Sequence, residues 1–198
     1  MWALVGLEGV SVRVLAVLLA AGAGERWAGP GHKLTTMFRG KPVVVRAIEH
    51  VVASGLDVLV VHGAVDLTAL ARGCGARVVL NPRWIEGQAS SLGVACDVAT
   101  REGFDAIVVG LGDQPLLRSS AWSAVAGAAD DLDIVVATYD GVRGHPVRLA
   151  ASTWPLLDRT ADRGAGQLLR NRPDLVREVA CEGNPADIDT MEDLRRWS

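Results

Sequence analysis

The sequence predicts an α/β protein with a doubly wound, mostly parallel sheet flanked by helices. Two observations support this prediction. Short apolar runs alternate along the chain with segments of helical periodicity, which is the pattern of consecutive βαβ units. The first run, within residues 14–23, is also apolar at nearly every position. A strand has this composition when helices cover both faces of a parallel sheet.

The predicted elements follow in a regular order. The first strand, "VLAVLLA", precedes a helix between Pro42 and Gly55 whose apolar side chains share one face. Strands and helices then alternate in "DVLVVHG", "DLTALARG", "ARVVLN", "SSLGVACDVATREG", "DAIVVGLGDQP", "SAWSAVAGAAD" and "DIVVATYDG". After Gly141 the pattern predicts short strands and two small helices, "AASTWPLLDRT" and "GAGQLLRN". Thr190 and Asp193 have the spacing that caps a last helix.

Length and composition exclude several classes of protein. The 198 residues suit one domain, which we expect at 13–198, with residues 1–12 as an N-terminal extension of unassigned structure. The net charge is −3 without a basic stripe, which argues against nucleic acid as a partner. The apolar run at 14–23 is too short to span a membrane. Three separated cysteines without CxxC pairing indicate a reduced, cytoplasmic protein.

The segment "LLAAGAGERWAGPGHKL", residues 18–34, follows the first strand directly and is rich in glycine. A dinucleotide-binding fingerprint fails because Trp27 stands where its third glycine is needed. A Walker A loop fails because Lys33 lies between His32 and Leu34. Glycines still allow backbone N–H groups to approach phosphate oxygens, and Arg26 and Lys33 supply positive charge. The segment therefore predicts a site for a nucleoside triphosphate.

Two further loops are expected beside this one. In a doubly wound sheet, ligands bind beyond the carboxyl ends of the strands. The loop "GLGDQP" follows a predicted strand there, and "DIDT" at 187–190 is expected at the same edge. Three polar loops are therefore predicted to converge.

Several motifs together resemble one family. Besides the glycine-rich segment they are "NPRWIEGQASSLG" at 81–93, "GDQP" at 112–115, "GHPV" at 144–147, "DRGAGQLL" at 162–169 and "DIDTMEDL" at 187–194. The combination resembles the nucleotidyltransferase superfamily, its MobA-like branch, and within that branch the molybdenum cofactor cytidylyltransferases. The chain departs from the family pattern at 26–33, which is about two residues longer than usual, and at Gly166, where the family carries Arg.

The resemblance implies a Rossmann-like nucleotidyltransferase fold and a Mg²⁺-dependent enzyme. The implied reaction joins CMP from CTP to molybdenum-bound molybdopterin with release of pyrophosphate, and a molybdenum hydroxylase would receive the product. Ala21, in "AAG", favours CTP over GTP within this family. Alternatives are another NTP such as GTP, a sugar phosphate or phospholactate acceptor, and a non-catalytic molybdenum-cofactor carrier. An NAD-binding oxidoreductase is disfavoured by Trp27.

The resemblance also implies the site residues. Arg26, Lys33 and Asp113 would be catalytic, and Asp113 and Asp189 would hold Mg²⁺, with Asp187 as the rival to Asp189. The acceptor's phosphate is already ionised, so no general base is expected. The implied nucleotide-binding residues are Leu19, Ala20, Ala21, Gly22, Ala23, Gly24, Glu25, Arg26, Lys33, Asn81, Gln88, Ser90, Ser91 and Asp113. The implied acceptor-binding residues are Gln114, Pro115, His145 and Pro146.

Two pairs of residues keep alternative interpretations. Ser90 and Ser91 could instead supply the N-cap of the helix that follows them. Trp27 and Trp84 lie in predicted edge loops, where an aromatic ring could cover a pterin or a nucleobase.

Overall fold

A seven-stranded sheet forms the centre of the structure, a computed structural model that describes residues 12–129, 131–159 and 164–198. Its strands run in the order β5-β4-β1-β6-β8-β7-β9, and β2 and β3 form a separate two-stranded hairpin. The strands are β1 (Val14–Ala20), β2 (Met37–Phe38), β3 (Lys41–Pro42), β4 (Asp57–His62), β5 (Arg77–Leu80), β6 (Ala106–Leu111), β7 (Ile134–Tyr139), β8 (Val142–Ala150) and β9 (Val176–Ala180).

The sheet is mostly parallel, as predicted, and β8 alone runs against its neighbours β6 and β7. A two-residue turn reverses the chain between β7 and β8. Its residues, Asp140 and Gly141, both have positive φ, at 49° and 78°, which matches the tight turns that join antiparallel strands. The prediction of short strands after Gly141 is correct for β9, which has five residues, whereas β8 is a single strand of nine residues.

Helices cover both faces of the sheet. They are α1 (Val43–Val52), α2 (Thr68–Gly73), α3 (Gln88–Arg101), α4 (Ser119–Ala126), α5 (Gly166–Asn171) and α6 (Met191–Trp197). Shorter 3-10 turns span Lys33–Thr35, Trp84–Glu86, Ala151–Leu156 and Pro173–Leu175. Within "AASTWPLLDRT", the 3-10 turn covers Ala151–Leu156. The capping box between Thr190 and Asp193 at the start of α6 is confirmed.

The start of α3 corrects one sequence interpretation. Gly87, with φ of 101°, precedes the helix, which begins at Gln88. Ser90 and Ser91 therefore lie inside α3, and the alternative that they form its N-cap was wrong. The hydroxyl of Ser90 instead lies within donating distance of two carbonyl oxygens, that of Arg83 at 3.0 Å and that of Gly87 at 2.9 Å.

Strand β1 shows why the first apolar run has no alternation. Leu15 and Val17 pack in the layer that contains α3, whereas Ala16 and Leu18 pack in the layer that contains α1. Every residue from Leu15 to Ala20 is at most 7% exposed. Burial on both faces thus requires apolar side chains at successive positions.

Part of the predicted N-terminal extension, residues 1–11, lies outside the described residues, as do Asp162 and Arg163 of the "DRGAGQLL" motif. The domain boundary at residue 13 stays a prediction. Within the described ranges, no helix is both long enough and apolar enough to cross a lipid bilayer.

Replacing Gly110 with alanine should destabilise the protein by about 1–3 kcal/mol, because an added methyl group would overpack the core. A Cβ at this position in β6 would lie 2.6 Å from the ring of Trp122, which is 1% exposed. Urea denaturation measures the effect. Gly73→Ala is the control, since a Cβ there meets no atom within 4 Å, and a loss as large as that of Gly110→Ala would contradict the packing argument.

Candidate active site

The carboxyl ends of two neighbouring parallel strands open into a cavity of about 560 Å³. The strands are β1 and β6, which pair from Val14 with Ala106 to Leu19 with Leu111. The cavity is lined by these residues of the predicted site: Leu19, Ala21, Gly22, Ala23, Gly24, Glu25, Arg26, Lys33, Gln88, Ser91, Asp113 and Asp189. The predicted convergence of the three loops is therefore present in the fold.

A lysine joins two carboxylates at the floor of this cavity. The ammonium of Lys33 donates to Asp113 Oδ2 and to Asp189 Oδ1, at 2.6 Å in both cases. The three side chains are only 11%, 17% and 13% exposed. The guanidinium of Arg26, which is 74% exposed, lies 2.7 Å from the other oxygen of Asp189. Arg26 therefore reaches the acid pair from the solvent side.

The electrostatics keep Lys33 charged. Burial lowers the pKa of its ammonium, but attraction and hydrogen bonds from Asp113 and Asp189 outweigh burial, and the net pKa of Lys33 is raised. Lys33 thus stays a cation throughout the physiological pH range.

Backbone contacts bring the two distant acids together. Gly112, between β6 and Asp113, donates its N–H to the carbonyl of Leu19 at 2.9 Å. A Cβ at Gly112 would lie 2.8 Å from the Cβ of Ala20, so this close approach requires glycine. The N–H of Ile188 then donates to the carbonyl of Asp113 at 2.9 Å. This bond fixes the position at which the 187–190 segment crosses the Asp113 turn.

The donor set suits a divalent cation. Mg²⁺ is commonly held by one or two carboxylates together with phosphate oxygens and waters. Asp113 and Asp189 supply the two carboxylates, and Asp113 Oδ1 is buried without a hydrogen-bond partner. Among the described residues, no group of three or more His, Cys, Asp or Glu side chains could hold a metal ion. The residues therefore fit an ion that completes its coordination with substrate phosphates.

Three residues predicted to contact the nucleotide do not line the cavity: Asn81, Ser90 and Ala20. Asn81 is fully buried, and its amide donates to the hydroxyls of Ser90 and Ser91 at 2.8 and 2.9 Å. Ser91 lines the cavity, whereas Asn81 and Ser90 brace the segment before α3. Ala20 packs in the core on the α1 side of the sheet.

The two candidate tryptophans occupy different places. Trp84 lines the cavity and packs against Gly63, where a Cβ would collide with the indole. Trp27 packs against the cluster formed by Phe38, Val43 and Ile188. The sequence did not predict Ile85, which is 81% exposed and lines the cavity. Its position next to Trp84 is the one signal in the sequence that could have indicated it.

A second cavity of about 410 Å³ adjoins the first, since Leu19 and Gln88 line both. Its polar lining residues are Gln88, Gln114, Arg143, His145 and Asp187, and much of its remaining wall is apolar. Of the four residues predicted to bind the acceptor, Gln114 and His145 line this cavity, whereas Pro115 and Pro146 do not.

Asp187 belongs to the second cavity and not to the acid pair. Its Oδ1 accepts a hydrogen bond of 2.8 Å from the amide of Gln114. Burial and the nearby charge of Asp113 raise the pKa of Asp187 to about 6. Burial lowers the pKa of His145 to about 4, so its imidazole is neutral at pH 7. Among the described residues that line the second cavity, Arg143 is therefore the cationic side chain.

Comparison with known proteins adds a family match. The sequence matches the MobA-like NTP transferase domain over residues 16–177. It is similar to the Bifunctional protein GlmU of Bartonella bacilliformis, at 29% identity over 129 residues that cover 63% of this chain and 29% of that protein. The chain therefore spans less than a third of this relative's length.

Three solved structures share the fold. Rv0371c from Mycobacterium tuberculosis H37Rv aligns at 27% identity with a TM-score of 0.76, over 93% of this chain and 97% of that one. Rv0371C in complex with manganese aligns at 24% identity with a TM-score of 0.76, over 94% and 98%. The inositol-1-phosphate CTP transferase from T. maritima aligns at 18% identity with a TM-score of 0.70, over 92% and 91%.

Proposed function

The chain is a nucleotidyltransferase that belongs to the MobA-like NTP transferase family, and we propose that it joins CMP from CTP to molybdenum-bound molybdopterin. The observation on which this proposal depends is the Lys33 ammonium held between Asp113 and Asp189, beside the glycine-rich loop. This cluster gives the cavity both positive charge and carboxylate ligands where a triphosphate would lie. Transfer of a nucleotidyl group needs the positive charge to stabilise the triphosphate and the carboxylates to hold a divalent cation.

The reaction needs alignment more than proton transfer. An oxygen of the acceptor phosphate attacks the α-phosphorus of CTP, the bond from that phosphorus to the β-phosphate oxygen breaks, and pyrophosphate leaves with the electron pair. The acceptor phosphate is ionised at pH 7, so no side chain has to remove a proton. Lys33 and Arg26 stabilise the negative charge that develops on pyrophosphate.

Asp113 and Asp189 would hold a divalent cation in this site. The buried, unpartnered Oδ1 of Asp113 supports that assignment, and the complex of Rv0371C with manganese supports the choice of Mg²⁺ or Mn²⁺. When bound, the ion supplies positive charge against the triphosphate oxygens.

The choice of CTP is supported by the family's "AAG" sequence at Ala21 and by the T. maritima neighbour, which is named as a CTP transferase. Gln88 and Ser91 line the same cavity and offer hydrogen bonds to the base. The glycine-rich loop accepts the phosphates of any NTP, so GTP is the alternative nucleotide.

The adjoining cavity would take the acceptor. Its largely apolar wall suits a flat ring system such as a pterin better than a sugar phosphate or phospholactate. Gln114 and His145 offer the hydrogen bonds. We place the reaction in the cytoplasm, with a molybdenum hydroxylase as the recipient of the product. A carrier that performs no transfer would have no use for the acid pair.

CTP with Mn²⁺ should raise the midpoint of thermal unfolding more than GTP, ATP or UTP does. A ligand at a hundred times its dissociation constant stabilises a protein by about 2.7 kcal/mol. Differential scanning fluorimetry of the full chain measures the shift, with EDTA as the control.

Release of pyrophosphate from CTP should then depend on the presence of molybdenum-bound molybdopterin. Equal release with a sugar phosphate in its place would contradict the proposed acceptor, and a larger shift with GTP would contradict the proposed nucleotide.

A further inference from the structure

His32 connects the two ends of the glycine-rich loop. Its Nδ1 accepts the backbone N–H of Leu34 at 3.2 Å, and its Nε2 lies 3.1 Å from the carbonyl oxygen of Gly22. A single side chain therefore contacts backbone groups on both sides of the segment 23–31. This segment overlaps residues 26–33, the stretch expected to be longer than in the family pattern.

The two contacts define the state of the imidazole. Because Nδ1 accepts a hydrogen bond, the proton of the neutral ring must lie on Nε2, which then donates to Gly22. Burial lowers the pKa of His32 more than its bond to Gly22 raises it. The neutral ring satisfies both contacts at once, whereas the imidazolium cannot accept from Leu34.

The backbone of His32 also organises the turn that carries Lys33. Its carbonyl accepts the N–H groups of Thr35 and Thr36 and the hydroxyls of the same two residues, at 3.0 to 3.2 Å. The side chain caps this 3-10 turn through Leu34. Lys33, the first residue of the turn, is thereby fixed beside the acid pair.

The start of the loop packs against the same residues. A Cβ at Gly24 would lie 3.3 Å from Cγ of Lys33 and 3.6 Å from Nε2 of His32. Gly22 is open, since a Cβ there would meet no atom within 4 Å. The start of the loop therefore lines the cavity, and His32 contacts it at the Gly22 carbonyl.

We propose that His32 is a positioning residue, whose bond to the Gly22 carbonyl holds the glycine-rich loop and Lys33 in the arrangement that receives the triphosphate. The proposal rests on the proposed nucleotidyltransferase function. Without the bond, the segment 23–31 would lose one of its contacts with the Lys33 turn. The free energy of nucleotide binding would then have to offset the conformational entropy lost in ordering the segment. The defect should therefore appear in nucleotide affinity and not in the chemical step.

Three substitutions separate the two contacts of His32. Alanine removes both. Asparagine keeps an acceptor for Leu34, since it is a good N-cap residue, but is too short to reach Gly22. Glutamine keeps a donor long enough to reach Gly22 and loses the cap. His50→Ala, in α1 and outside both cavities, is the control for loss of an imidazole.

His32→Ala and His32→Asn should raise the KM and the dissociation constant for CTP about tenfold, with kcat changed less than about threefold. His32→Gln should stay within about threefold of the unaltered protein in both quantities. Calorimetric titration of CTP with Mn²⁺, and pyrophosphate release, measure them. The Asn and Gln variants decide the result even if His32→Ala folds poorly.

The opposite pattern, with Asn restoring affinity and Gln failing, would reduce His32 to a helix cap and overturn the proposal. Equal CTP affinity in all variants would also overturn it, even if their thermal stability fell. Absence of CTP and GTP binding by the unaltered protein would instead contradict the proposed function.

Discussion

Replacing Lys33 with methionine should slow pyrophosphate release by about a thousandfold, because the positive charge that would stabilise the leaving pyrophosphate is lost. The same substitution should tighten binding of Mn²⁺ in the absence of nucleotide by about fivefold or more. The reason is that the Lys33 ammonium pairs with both carboxylates, through Asp113 Oδ2 and Asp189 Oδ1, and so competes with a metal ion for their negative charge. Steady-state kinetics and Mn²⁺ titration followed by electron paramagnetic resonance measure the two effects.

The stability of Lys33→Met supplies an independent check. In EDTA, removal of the buried cation leaves Asp113 without its ion-pair partner, while Asp189 keeps Arg26, and the free energy of unfolding should fall by about 3 kcal/mol. Mn²⁺ should restore most of this loss. The control is Lys41→Met, which removes the chain's other lysine, an ion-pair partner of Glu49 with a side chain 48% exposed. Weaker Mn²⁺ binding by Lys33→Met would show that the ammonium does not compete with the metal ion for these carboxylates.

Asp113→Asn should also lower the rate of pyrophosphate release by about a thousandfold. Asparagine nearly preserves the size of the side chain but removes the charge that pairs with Lys33 and would bind the cation. Mn²⁺ affinity should fall about tenfold or more. Calorimetric titration of Mn²⁺ at pH 7.5 and the pyrophosphate assay measure the losses.

Two neighbouring acids give this prediction a matched control. Asp189→Asn should weaken Mn²⁺ binding as Asp113→Asn does, whereas Asp187→Asn should leave it within about twofold. The two residues differ in their partners, because Asp189 contacts Lys33 and Arg26, and Asp187 contacts Gln114. Equal loss of Mn²⁺ affinity in Asp187→Asn and Asp189→Asn would contradict the assignment of the metal ligands.

Much of the fold was predictable because its signals are local. The run at β1 is apolar at consecutive positions, and α1 has its apolar residues on one face, so their types follow from periodicity alone. The antiparallel strand β8 was predicted only as short strands, because "VRGHPVRLA" contains Gly and Pro, which usually interrupt a strand. The sheet accommodates them through a register shift, in which Val136 pairs with Val147 and Ala137 with Gly144. His145 and Pro146 therefore bulge from the ladder at the edge of the second cavity.

The sequence by itself determined the parallel orientation of the first strands, the glycine-rich loop after β1 and the acidic turns expected beyond the strand ends, since composition and short spacings encode these features. Only the tertiary structure showed that Asp189 contacts Lys33 while Asp187 contacts Gln114, and only it revealed the contact of His32 with Gly22. Both depend on contacts between segments that lie apart in the chain. The bond from the Ile188 N–H to the Asp113 carbonyl fixes the position of residues 187–190 beside Asp113, and with it the acid that contacts Lys33. No pattern within residues 187–190 predicts this contact.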